Sequence, residues 1–350
     1  MFSWDLLCFY SIQFLFYTIT KHLDASEVLI SSAVYLISKI LFEIPSVAIV
    51  DLYGHKKSLI IGNFLVFVGM LSLIFVPGFA GVIIVNILSG FGYDIKVISE
   101  TNLLYDSVST RGGEGLYTKI DEKGSSWYYW LDGILCLIAG YLFVIDNYIP
   151  IYICTFFTFI STLLAFKFED IHKKDALEKT NFAKILVEYA SDLKTSTKFI
   201  LKSERMKAYL LFGSVFYGMI KVVTTYKSEL LVVQGVSEQE FSTIMAVTTL
   251  ISAICTSYSR KIHKKYKNKT LSVLSITFVG ACIIASLAAK LFSSNIAIPI
   301  IILTCTIFKI AEALWYVFEY KYLKNFTTEK IRNKITFTYE TITCLGASII

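Results

Sequence analysis

Apolar runs of near-membrane length recur along the chain, separated mostly by short charged or polar turns. Eleven can be read, over 4–20, 28–50, 59–76, 82–105, 127–145, 148–166, 208–225, 241–258, 270–291, 296–317 and 335–350. A helix of roughly 20 apolar residues crosses the ~30 Å hydrocarbon core of a bilayer, so the pattern predicts an all-α polytopic membrane protein. A single long polar stretch, 167–207, separates six segments from five. Within it Phe182, Ile185, Leu186 and Tyr189 recur at helical spacing among charged residues, and Leu193, Ile200 and Leu201 continue less regularly. That predicts an amphipathic helix lying on the membrane face or bridging two bundles. The domain layout expected is a six-helix bundle (1–166), a linker (167–207) and a second bundle (208–350). The first run, Trp4 to Thr20, lacks a basic leader and a small-residue cleavage site, so it reads as a membrane helix rather than a signal peptide.

Composition agrees. Charged residues make up 17% of the chain, where soluble domains carry about 25%, and 55% of residues are hydrophobic. Mean hydropathy is +0.63. If the turn at Gly54 is placed in the cytoplasm, the five loops on that side hold 26 of the 33 Lys and Arg. The opposite loops hold three, Lys21, Lys227 and Lys290. The asymmetry predicts a cytoplasmic N-terminus and a cytoplasmic linker. The net charge of +6 then belongs to the membrane face and calls for no nucleic-acid partner. The seven Cys all fall within apolar segments, none in Cys-x-x-Cys spacing, and the four His are scattered. They read as packing residues, with no disulfide, metal or cofactor site. Gly90-Phe-Gly92 lies inside a membrane segment rather than after a strand, so it is no dinucleotide fingerprint. No phosphate loop, zinc motif or nucleophile elbow occurs, and the loops are too short for a catalytic domain, so no enzyme is expected.

The turn between the second and third segments is the most specific feature. It reads Glu43-Ile-Pro45-Ser-Val-Ala-Ile-Val-Asp51-Leu-Tyr-Gly54-His55-Lys56-Lys57. It resembles the loop between helices 2 and 3 of the major facilitator superfamily, where an acid, a Gly and a basic cluster follow Glu-x-Pro. Three positions depart from that pattern: Val47 for its first Gly, Leu52 for the basic residue after the acid, and His55 for the usual Arg. The resemblance implies two pseudo-symmetric six-helix bundles that rock about a central site. It implies that Asp51 rests against the N-terminus of helix 11, where the helix dipole favours an anion. The positive charge after Gly54, here His55, Lys56 and Lys57, would bind an acid at the end of helix 4, here Asp106. Histidine is the side chain that changes charge most readily near neutral pH, and it lacks the guanidinium fork, so its place here predicts a weaker or pH-dependent latch. Against twelve family helices, the chain reads as truncated in the eleventh, a sixteen-residue segment of about 24 Å.

Ionisable residues at membrane depth are costly and mark function by default. The second segment has Lys39 and Glu43 at i,i+4, which can neutralise each other. The fourth has Asp94, Lys96 and Glu100; Lys96 and Glu100 share a face, leaving Asp94 free to face a cavity. The fifth has Asp132, the seventh Lys221, and the tenth Lys309 with Glu312. The resemblance places helices 1, 4, 7 and 10 around the cavity, which makes Asp94, Glu100 and Glu312 proton or substrate-cation candidates. Asp132, Lys221, Lys309 and the polar–aromatic pairs Gln13–Tyr17 and Tyr217–Lys221 complete the candidate set.

The function expected is secondary transport of a small solute across the cell membrane by alternating access. Proton coupling is expected, with export ahead of uptake, as a monomer in the lipid bilayer. Two alternatives stand beside it. One is uptake of a nutrient or organic anion, for which Lys96, Lys221 and Lys309 supply charge. The other is a membrane protein that does not transport. The helix-5 Gly-Pro-x-x-Gly-Gly signature of drug–proton antiporters is absent, Ala139-Gly140 being its nearest echo.

Overall fold

The structure, a computed structural model, describes residues 8–109, 133–168, 182–326 and 329–349, with the single positions 120, 124 and 131. Among the described residues there is no strand. The helices are α1 (Cys8–Leu15, continuing as one π turn, Phe16–Thr20), α2 (Ala25–Tyr53), α3 (His55–Phe75) and α4 (Gly78–Ser109). Next come α5 (Gly133–Ile145), α6 (Ile149–Ala165) and α7 (Phe182–Lys202). The second half holds α8 (Glu204–Val233), α9 (Glu238–Ser257), the short α10 (Ser259–Tyr266), α11 (Thr270–Leu291), α12 (Ser294–Phe326) and α13 (Glu329–Ile349).

Among the described residues six helices, α2, α3, α4, α8, α11 and α12, are long and apolar enough to cross a membrane, and α5 and α6 are shorter apolar helices. Several run past the segments read from the sequence. The segment 208–225 lies inside the 30-residue α8, so Lys227, expected in a loop, is helical and buried. The sixteen-residue segment 335–350 becomes the 21-residue α13, about 31 Å long. Its first turns are polar, which is why apolarity alone placed its start six residues late.

The helices are patterned for lipid. On α6 the inward face is Thr155, Thr158, Ser161 and Thr162, all buried, while Tyr152, Phe156, Phe159 and Leu163 face outward and are exposed. In water that arrangement would be inverted. In hydrocarbon the small hydroxyl residues belong at helix contacts, their hydroxyls returned to the backbone one turn earlier. On α11 the buried stripe Leu274, Phe278, Ala281, Ala285, Ala288 turns inward, and Ile276, Ile283, Leu287 and Leu291 are left outside.

Within the first bundle α4 wedges between α2 and α3. Glycines make this possible. A Cβ on Gly92 would lie 2.8 Å from the Gly62 carbonyl oxygen, and one on Gly90 would lie 3.0 Å from the Ser38 Cβ. The Gly90-Phe-Gly92 triplet therefore serves two helix contacts, and Phe91 between them stacks on Phe42 of α2 at 4.4 Å. In the second bundle α8 packs on α13 and α12, and α12 on α9 and α11.

The bundles are joined unevenly. At the end remote from the α2–α3 turn, one apolar cluster runs through both, from Phe9, Phe16 and Phe143 to Leu231, Phe241 and Ala297. Toward the turn, each bundle has its own cluster: Leu59, Leu103 and Ala165 in the first, and a larger one around Trp315 in the second.

Candidate functional site

Between the bundles lies a cavity of about 790 Å³. Its lining comes from α1, α2, α4, α5, α8, α9, α12 and α13, a wider ring than helices 1, 4, 7 and 10 alone. Charge enters on five of these helices. The first bundle presents Lys39 and Glu43 from α2 and Asp94 from α4; the second presents Lys221 and Lys227 from α8, Lys309 and Glu312 from α12, and Glu340 from α13.

The pairings differ from those expected. Lys39 does not neutralise Glu43 along its own helix; its ammonium lies 3.5 Å from the Asp94 carboxylate across the α2–α4 contact. The close approach that Gly90 and Ser38 permit brings these two helices near enough for the bond. Asp94 thus lines the cavity as half of an ion pair rather than as a free acid. Glu43, released from Lys39, reaches the other bundle, where Thr341 of α13 donates a 2.5 Å hydrogen bond to its carboxylate. In the second bundle the expected i,i+3 pair forms, Lys309 to Glu312 at 3.1 Å. Lys221 sits over the Tyr217 ring at 5.1 Å.

Other candidates fall elsewhere. Gln13 lines the cavity and donates to the Tyr17 hydroxyl at 3.0 Å, while Tyr17 itself is buried in the apolar cluster behind it. Tyr217 packs edge-on against Tyr316 and is not part of the lining. Glu100 and Lys96 are likewise outside it. Glu100 stands about 9 Å along α4 from Asp94, and Lys96 is buried with its ammonium near the Tyr93 ring. Asp132 lies outside the described residues, as does the side chain of Asp106.

At the turn, Gly54 has φ 79° and ψ 166°, a conformation essentially reserved for glycine, and it is both the end of α2 and the start of α3. Asp51 accepts a 2.8 Å hydrogen bond from Tyr189 of the linker helix α7. The resemblance implied the N-terminus of helix 11 as its partner; the structure gives it a hydroxyl of the linker. Lys57 is exposed, while His55 and Lys56 are half-buried.

The sequence reading missed much of the lining. Tyr10 and Tyr93 share a hydrogen bond at 3.0 Å between their hydroxyls, tying α1 to α4 at the cavity wall. Tyr35, Thr224, Thr225, Lys227, Ser228 and Glu340 also contribute. The run Thr224-Thr-Tyr-Lys227-Ser228 was legible as the end of a segment. Its signal was the apolar Leu230-Leu-Val-Val233 beyond it, which makes it a polar interruption inside one helix. Among the described residues no cluster of three or more His, Cys, Asp or Glu could hold a metal ion.

The family profile described as Major Facilitator Superfamily matches residues 5–350. Solved structures of the same fold include the nucleoside transporter NupG, at TM-score 0.72 and 12% identity, covering 99% of this chain and 87% of that one. A POT family transporter in complex with 5-aminolevulinic acid aligns at TM-score 0.71 and 14% identity, covering 99% and 86%. A D-xylose–proton symporter aligns at TM-score 0.68 and 12% identity, covering 99% and 83%. No curated protein sequence matches the chain.

Proposed function

The chain belongs to the major facilitator superfamily, and from that premise we propose that it carries a small polar solute across a membrane by alternating access, coupled to protons. One observation carries this reading: a cavity of about 790 Å³ between two helical bundles, with carboxylates of both exposed to it. Glu43 and Asp94 on one side and Glu312 on the other are the groups assigned to proton or solute binding, with Lys39 and Lys309 as their counter-charges. Taking a proton at Glu43 removes the charge that accepts from Thr341, which loosens a contact between bundles. Protonating Asp94 frees Lys39. The first event weakens a contact between the bundles and the second frees a charge on the cavity wall, so each can bias one state over the other, as coupling requires.

The excess of Lys and Arg on one set of loops supports a cytoplasmic N-terminus and linker in the cell membrane. For direction, the D-xylose–proton symporter among structures of this fold makes uptake the reading to test ahead of the export expected from the sequence. The test is transport in liposomes of known protein orientation, with a pH dye inside and a panel of sugars, nucleosides and organic ions outside. Solute-dependent proton movement in the wild type, lost in Asp94→Asn, is the expected result. Solute flux that leaves the dye unchanged would remove proton coupling, and the side from which solute is taken gives direction.

A further inference from the structure

Among the described residues four lysines and four carboxylates line the cavity, but they are not distributed evenly along its walls. On α8 and α12 three lysines, Lys221, Lys227 and Lys309, face a single carboxylate, Glu312, and Lys309 occupies it at 3.1 Å. Lys227 is 6% exposed. Among the described residues its ammonium has neither a carboxylate within ion-pair distance nor a hydrogen-bond acceptor. Lys221 has the face of Tyr217 and, among the described residues, no carboxylate within ion-pair distance. Both lysines line the cavity, so their ammonium groups are reached from the cavity rather than sealed in the packing. A cation there that the chain leaves without a carboxylate is best completed by an anion that enters the cavity. The other wall shows the contrast: there Lys39 has Asp94, and Glu43 has Thr341.

We infer that Lys227, with Lys221 less than two turns earlier on α8, binds the carboxylate of an anionic or zwitterionic solute. Thr224, Thr225 and Ser228 of the same helix line the cavity around them. Their hydroxyls now donate to backbone carbonyls one turn back and keep the capacity to accept a hydrogen bond. The solute's charge supplies what the chain omits, so binding pairs two ammonium groups in one step. Neutral sugars and nucleosides would leave both unpaired. This assignment deepens the transport reading and rests on the same cavity being the solute site.

The experiment uses the full chain in lipid nanodiscs, with thermal unfolding followed in acetate, succinate, glycine, inorganic phosphate, glucose and uridine, each against a matched chloride control. The same solutes are tested for flux in liposomes. At least one carboxylate should raise the unfolding temperature. Lys227→Gln should weaken its apparent affinity about tenfold or more, since a charge-assisted bond is lost, and Lys227→Arg should retain part of it. The Gln variant, freed of a buried unpaired charge, should fold at least as well as wild type without ligand. Stabilisation by glucose, uridine or phosphate with none by a carboxylate overturns the assignment, as does no carboxylate effect at all or one equal in Lys227→Gln. Carboxylate stabilisation lost in the Gln variant, with no flux of any solute, keeps the site and overturns the transport reading. Flux of a neutral solute alone does the reverse.

Discussion

Single residues in this chain are placed by what their backbone or charge demands. Gly54 shows the backbone case. With φ 79° and ψ 166° it occupies a region where any Cβ is strained, and α3 starts directly after it. Gly54→Ala should therefore lower stability by ~1–3 kcal/mol, read as a fall in unfolding temperature in nanodiscs. Because ψ is far from the left-handed helical value, Gly54→Asn should be no better than Ala, whereas at an ordinary left-handed turn Asn would rescue. The charged residues show what sequence could and could not convey. That Asp94, Lys221, Lys309 and Glu312 would face a cavity followed from their depth together with the family resemblance, whereas Glu43 was expected to pair with Lys39 or to serve the turn. Their partners were not legible. Spacing on one helix gave Lys39 to Glu43, but the α2–α4 contact gave it to Asp94 instead, and spacing within a helix carries no information about a neighbouring one. Lys227 was misplaced for a related reason: a polar turn within α8 looks the same as a polar turn that ends a helix until the apolar residues beyond it are counted.

At the scale of elements, helix contacts here are set by small residues. Lipid gives no hydrophobic push between apolar helices, so close backbone approach has to supply the packing. Gly62 and Gly92 face each other across α3 and α4, each backbone within van der Waals reach of where the other's side chain would be. Gly92→Leu cannot be absorbed by a flexible neighbour, since the atoms it meets include a carbonyl oxygen at 2.8 Å. It should separate the two helices, costing ~1–3 kcal/mol or more as overpacking does. Moving α4 also moves Asp94. Gly92→Leu should thus lose both thermal stability and proton movement, while Gly280→Leu on α11, where nothing lies within 4 Å of an added Cβ, should lose neither. The linker adds a different kind of contact. Its amphipathic character was legible in Phe182, Ile185, Leu186 and Tyr189, but the hydrogen bond from Tyr189 to Asp51 was not. The family pattern pointed Asp51 toward another helix end, and a motif carries its expected partner with it even where the structure supplies a different one.

For the whole molecule, the uneven join between the bundles defines what must move. A cavity that loads from one side and empties to the other needs each end to open in turn. In this structure the end remote from the α2–α3 turn is held by one apolar cluster running through both bundles. Gly140 of α5 lies there directly against Ser242 of α9: an added Cβ would touch the Ser242 side chain and come within 2.9 Å of the Glu238 carbonyl oxygen. A cysteine pair, Gly140→Cys with Ser242→Cys, can therefore reach disulfide distance after a small outward shift, the Cβ spacing of a disulfide being about 3.8 Å. Oxidation should abolish solute flux because the remote end can no longer part, and reduction should restore it. The native thiols are a necessary control, so the pair is built in a background where the cavity-lining Cys136 and Cys344 are replaced by Ser. Solute binding should survive oxidation, since the cavity remains formed when that end is shut. Flux that persists through a verified crosslink would mean that the remote end does not open during transport, and the rocking of two bundles about the central cavity would fail as a description of this protein.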